Sequence, residues 1–148
     1  MKFAEFFAGQ VLEAGPRTID EGEIVAFARE YDPQWFHVDP DAAANSRWGG
    51  LIASGWHTCG VAMRLAVDQF LRDSESFASP GLAYLKWTHP VRPGDSLLLR
   101  ADVLEVRTAQ SNPALGILRW RWRLYNQDAV QVLDVEATSL FDVPVALQ

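Results

Sequence analysis

An α+β architecture, with an antiparallel sheet curled around a long central helix, is what this chain predicts. Three observations carry that expectation. Residues 51–71 hold a long helical pattern that is apolar around most of its circumference, four strand-like segments follow it in succession, and the connections between them are short and turn-rich. The chain has 148 residues, the size of one ordinary domain and enough to bury a substantial core, so residues 1–148 are expected to form a single domain.

Residues 18–31 read as a helix, because Thr18 with Glu21 makes a capping box and Ile24, Phe27, Ala28 and Tyr31 share one face. Pro33 ends that run. A short second helix is expected to begin at Asp39, an N-cap carboxylate before Pro40 at the first helical position. The central helix over 51–71 carries a polar stripe of Arg64, Asp68 and Arg72 at four-residue spacing. Its small residues Ala53, Gly55, Gly60, Ala62 and Ala66 would let a sheet approach closely, so it is expected to be wrapped and buried. Strands are expected over 81–89, 96–107, 115–125 and 130–141, joined by connections that suit antiparallel pairing. Arg119, Arg121 and Arg123 alternate with Trp120, Trp122 and Leu124, which predicts one charged face and one buried face. A long apolar helix followed by consecutive antiparallel strands points to a hotdog fold.

Composition removes several function classes. Hydrophobic residues make up 49% of the chain, aromatic 11% and charged 22%, as in a globular protein. Nineteen acidic against thirteen basic residues give a net charge of −6, which argues against nucleic acid and anionic membrane surfaces as partners. The single cysteine, Cys59, cannot form an internal disulfide and reads as a small core residue. With no run of ~18 uninterrupted apolar residues and no leader-like start, the expectation is a cytoplasmic protein that neither crosses nor anchors to a membrane. Three histidines on different elements fall short of a zinc signature, so no metal is expected.

The most informative segment runs from Tyr31 to Gly60. It sets an acid, Asp32, and an imidazole, His37, five residues apart on a Pro-interrupted loop ahead of a Gly-rich helix start, a combination suited to proton transfer beside a polarised carbonyl. Taken alone, the two residues also read as a helix-ending carboxylate and an ordinary partly buried histidine. Gly55, in the first turn of the central helix, reads equally as an amide donor to an oxyanion and as a packing glycine. Ser54 suits orienting a substrate or a water, although serines at helix starts more often cap the backbone. The arginine row suits coenzyme A phosphates, but pairing with Asp134 and Glu136 on the adjacent strand explains it better.

These residues resemble the MaoC-like dehydratases, whose (R)-specific enoyl-CoA hydratase members carry a motif like D-x-N-P-x-H. Asp32 and His37 have its spacing, Gly49-Gly50-Leu51-Ile52-Ala53-Ser54-Gly55 is similar to F-x-G-x-I-A-H-G, and Val91-Arg92-Pro93-Gly94-Asp95 resembles P-V-x-x-G-D. The resemblance covers most of the chain. It implies a hydro-lyase adding water reversibly to an enoyl-CoA, with Asp32 and His37 as the acid/base pair holding the water and Gly55 as the oxyanion donor. Trp35, Ser54 and Trp56 are the candidate substrate-binding residues. No cofactor is implied beyond coenzyme A as part of the acyl-CoA substrate, and the expected assembly is a homodimer or larger homo-oligomer, because a single curved sheet leaves an open edge. Two departures stand out: Gln34-Trp35 replaces Asn-Pro, and Ser54 stands where a histidine is common. They motivate two alternatives, a non-catalytic acyl-CoA-binding protein whose pocket is narrowed by Trp35, and a hotdog thioesterase using Asp32.

Overall fold

The computed structural model describes residues 1–144. Five antiparallel strands, β1 (Val11–Thr18), β2 (Ser76–Trp87), β3 (Ser96–Ala109), β4 (Asn112–Tyr125) and β5 (Gln131–Asp142), form one sheet in the order β1-β3-β4-β5-β2. The helices α1 (Glu21–Tyr31), α2 (Trp35–Val38), α3 (Pro40–Ala44) and α4 (Gly55–Ala66) all fall between β1 and β2. The sheet curls over α4, which is the hotdog arrangement the sequence predicts.

Alternation does most of the sorting. On β4, Leu118, Trp120, Trp122 and Leu124 turn inward and are buried, and Leu97, Leu99, Ala101 and Val103 of β3 lie beside them. Val61, Ala62, Leu65 and Ala66 of α4 pack against that face, while Phe6 closes one end edge-on to Trp120 at 5.6 Å. On the opposite face the arginine row is paired on both sides. Arg121 meets Asp134 at 2.8 Å, Arg119 meets Glu136 at 3.2 Å and Arg123 meets Asp102 of β3 at 2.5 Å. Cross-strand pairing therefore accounts for these guanidinium groups.

The structure departs from the expectation in several places, among them the start of β2 at Ser76 rather than residue 81. Strand β1 goes unforeseen because Gly15-Pro16 interrupts its alternation: the register against β3 shifts between Ala14 and Arg17, and an edge strand tolerates both residues there. A Cβ at Gly15, where φ is +105°, would lie 2.9 Å from the Leu97 carbonyl oxygen. Helix α1 starts at Glu21 rather than residue 18, since the Asp20 carboxylate accepts from the Glu23 N–H at 2.8 Å and outcompetes Thr18 as cap. The long helical pattern begins only at Gly55, with residues 51–54 outside any helix or strand, and closes in a π-helical turn over Val67–Leu71. Finally, α4 is wrapped on one side only: Trp56 and Met63 are 58% and 46% exposed, beside an edge strand β2 that exposes Phe77 and Leu82. Among the described residues, no helix is long and apolar enough to cross a membrane.

Candidate active site

Asp32 and His37 come together because the chain between them cannot continue as a helix. Asp32 caps α1, its N–H reaching the Ala28 carbonyl at 2.8 Å, and Pro33 bars the next residue from the helical ladder. The chain turns, with the Gln34 N–H on the Asp32 carbonyl at 2.8 Å, and rewinds as the single turn α2. His37 thus sits on a helical turn rather than on the loop expected from sequence, and the turn aims its ring back at Asp32.

The ring is gripped from both sides. Nδ1 lies 2.7 Å from the Ile52 carbonyl oxygen, and Nε2 lies 3.2 Å from Asp32 Oδ2. A carbonyl oxygen only accepts, so Nδ1 carries the hydrogen and Nε2 is left facing the carboxylate. Nε2 and Oδ2 thus stand within hydrogen-bonding distance at one point of the site. The Asp32 side chain is 18% exposed and that of His37 6%.

Two donors and the His37 ring converge on Asp32. Gln34 Nε2 donates to Oδ1 at 2.8 Å, Ser54 Oγ donates to Oδ2 at 2.7 Å, and His37 faces Oδ2 as well. Burial, the largest single influence, pushes the Asp32 carboxyl up, but the Gln34 amide, the Ser54 hydroxyl and His37 together outweigh it and hold the group below the usual carboxylate range. Gln34, a departure from the family motif, thus serves as a carboxylate donor.

Ser54 takes the N-cap position of α4, but its fully buried side chain makes no capping hydrogen bond there. Its hydroxyl orients Asp32. That assignment has a testable sign. Asp32 has a lower pKa folded than unfolded, so its ionisation contributes stability that is fully present above the unfolded value of about 4 and is lost as the pH falls through the folded value. Ser54→Ala removes one lowering donor. The stability gap between wild type and variant is therefore expected to be widest near neutral pH and to narrow below about pH 4, read from denaturant midpoints across a pH series. A gap that stays constant with pH would reduce Ser54 to filling space.

The two remaining motifs hold this geometry in place. Ile52 N–H bonds the Phe36 carbonyl at 3.2 Å and Ala53 N–H bonds the Val91 carbonyl at 2.9 Å, so the segment before α4 is stitched to both α2 and the β2–β3 connection. Arg92 spans the same gap, donating to the carbonyls of Gly50 at 3.0 Å and Trp48 at 2.5 Å. Asp95, buried, accepts from the Arg92 N–H at 2.9 Å and fixes that turn.

A cleft of about 400 Å³ opens beside the pair, lined by Asp32, His37, Phe36, Gly55, Trp56, Trp87 and neighbouring residues. Gly55 opens α4, and its amide belongs to the first turn, which has no carbonyl behind it to bond within the helix. A Cβ there would lie 2.4 Å from the Trp87 indole, whose Nε1 donates to the Gly55 carbonyl at 2.8 Å, so glycine is required for packing at this point of the cleft wall. Trp56 lines the cleft. Trp35 does not: it lies half-exposed, edge-on to Phe36 at 5.3 Å, because Phe36 and His37 are the residues of α2 that face the cleft. It therefore does not narrow the pocket.

Trp87 is the cleft residue that sequence reading passes over. Its signal was the alternation of β2, which puts it on the same face as Leu85. His57 lies outside the cleft, stacked on Phe27 at 4.8 Å with Nε2 3.2 Å from Glu23. Among the described residues, no group of three or more histidine, cysteine, aspartate or glutamate side chains is placed to hold a metal ion.

Comparison with known proteins matches the same segments. A model of the MaoC like domain fits residues 4–116. An uncharacterised Bacillus subtilis protein, YdeM, is 32% identical over 140 residues, covering 95% of this chain and 98% of its own. Among solved structures, a MaoC-like dehydratase from Rhodospirillum rubrum superposes with a TM-score of 0.88 at 34% identity, covering 96% of this chain and 97% of that one. An R-hydratase from Pseudomonas aeruginosa, solved without ligand, superposes with a TM-score of 0.77 at 27% identity, covering 99% and 90%.

Proposed function

The chain belongs to the MaoC-like domain family, and we propose that it is a hydratase/dehydratase that adds water reversibly across the double bond of an enoyl-CoA thioester. The observation that carries this reading is the 3.2 Å approach of His37 Nε2 to Asp32 Oδ2 at the wall of the cleft. Such a pair suits a reaction in which one proton leaves water and one arrives at carbon.

In this reading a water held by Asp32 and His37 gives a proton to the pair as its oxygen bonds to the β-carbon. The π electrons move toward the thioester, whose oxygen gains negative charge, and the pair returns a proton to the α-carbon. Nothing is consumed but water. The Ile52 carbonyl keeps Nδ1 out of the traffic, so Nε2 is the only ring nitrogen in play. The Gly55 amide, at the positive end of α4, stabilises the thioester oxygen. Coenzyme A enters as part of the substrate, and the chemistry asks for no metal or redox group.

The assembly is a homodimer in the same reading. β2 is an unpaired edge, and Phe77, Leu82 and Trp56 lie exposed around it. Light scattering is expected to give twice the chain mass at micromolar concentration; a monomer at that concentration would contradict it.

The activity is tested by following enoyl-thioester absorbance and free thiol together on crotonyl-CoA. Absorbance loss without thiol release is the expected result. Thiol release would instead make the protein a thioesterase, and acyl-CoA binding with neither signal would make it a binding protein.

A further inference from the structure

The cleft wall includes Gly55 and Thr58 of α4 and the Trp87 indole of β2. A second cavity, of about 340 Å³, lies on the same two elements, lined by Cys59, Ala62 and Met63 of α4, Leu85 of β2, and Leu133 and Val135 of β5. None of its lining residues is charged. The two spaces are neighbours by register. On α4 the cleft takes Gly55 and Thr58, and the cavity takes Cys59 and Ala62 one turn on. On β2 the cleft takes Trp87, and the cavity takes Leu85 two residues away on the same face, with Leu133 directly across from Trp87 on β5.

The indole at this boundary is held there. Its Nε1 donates to the Gly55 carbonyl at 2.8 Å, its ring fills the space a Gly55 side chain would need, and Trp56 meets it edge-on at 5.1 Å. Swinging aside for a ligand would cost this side chain its hydrogen bond to Gly55 and its contact with Trp56. Resting on the reading of the cleft as a thioester site, we propose that Trp87 is a specificity-determining partition: it confines the bound acyl chain to a short one and shuts off an apolar cavity suited to the distal methylenes of a longer one.

The test measures calorimetric Kd for butyryl-, octanoyl- and dodecanoyl-CoA alongside turnover of crotonyl- and octenoyl-CoA, in wild type and Trp87→Ala. Wild type is expected to bind octanoyl-CoA no tighter than butyryl-CoA, whereas Trp87→Ala gains on the order of tenfold or more for octanoyl over butyryl, since each methylene newly buried adds to affinity. Trp87→Phe, a smaller ring without the N–H, is expected to fall between them and stands in if the alanine variant does not fold. Trp87→Ala/Met63→Trp, which refills the cavity, is expected to lose the gain. An unchanged length preference in both single variants, or a gain that survives the refilling, would overturn the partition. Binding and turnover separate the two readings. A shifted Kd profile without hydration would keep the partition and sink the hydratase, while hydration with an unshifted profile would do the reverse.

Discussion

Asp32→Asn is expected to lower kcat for enoyl-thioester hydration by roughly 10³-fold while leaving the fold intact. The amide fills the same space, its oxygen accepting from Gln34 at the Oδ1 position and its nitrogen taking the Oδ2 position that Ser54 and His37 share. What changes is the proton inventory: the amide nitrogen donates to His37 Nε2, whose other nitrogen is already committed to the Ile52 carbonyl. The ring is then tied at both ends and the site can no longer take a proton from water. His37→Gln is expected to cost a similar factor by removing the other half of the pair. The double variant is expected to be little worse than either single one, because the two side chains act as a unit. Independent, multiplying losses would mean that the residues act at separate points of the reaction.

Gly55→Ala carries the second large effect, and it separates two roles of one residue. The new methyl would lie 2.4 Å from Trp87 Cε2 and 2.6 Å from Nε1, so the indole must move and give up its 2.8 Å hydrogen bond to the Gly55 carbonyl. Overpacking of this kind costs about 1–3 kcal/mol, and displacement of a cleft wall is expected to lower kcat/KM by roughly 10²-fold. The amide N–H survives the substitution. In Gly55→Ala/Trp87→Ala the clash is gone, so stability is expected to recover relative to the sum of the single effects, with a coupling of about 1 kcal/mol or more in the double-mutant cycle. Strict additivity would mean that the indole is not what demands glycine there.

How much of this the sequence discloses depends on the range of the interaction. Asp32 and His37 lie five residues apart around Pro33, a break that propensity rules recognise, but local rules read them as an ordinary carboxylate and histidine, and it is the family resemblance that singles them out. The arginine row is legible because period-two alternation places it and its carboxylate partners on one face, although Asp102, two strands away from β5, enters the network only through the register of β3 on β4. Strand β1 escapes because Gly15-Pro16 breaks the pattern that identifies strands, and only pairing with β3 restores it.

The site is harder to read than the fold, since its supporting contacts span long separations. Ser54 reaches Asp32 across 22 residues and Trp87 reaches Gly55 across 32. Local rules assign Ser54 to a cap and leave Trp87 unremarked, while adjacency along the chain promotes Trp35, which faces away. Arg92 and Asp95 are similar: a turn motif flags them, but not that the turn grips the loop before α4.

The measurement that bears most directly on the account is the mass of the product formed from crotonyl-CoA in heavy water. The protein is expected to yield an intact 3-hydroxyacyl-CoA carrying one carbon-bound deuterium at the α-position, and Asp32→Asn is expected to leave crotonyl-CoA unchanged. Free acid with coenzyme A, or a wild type that returns crotonyl-CoA untouched, would contradict it.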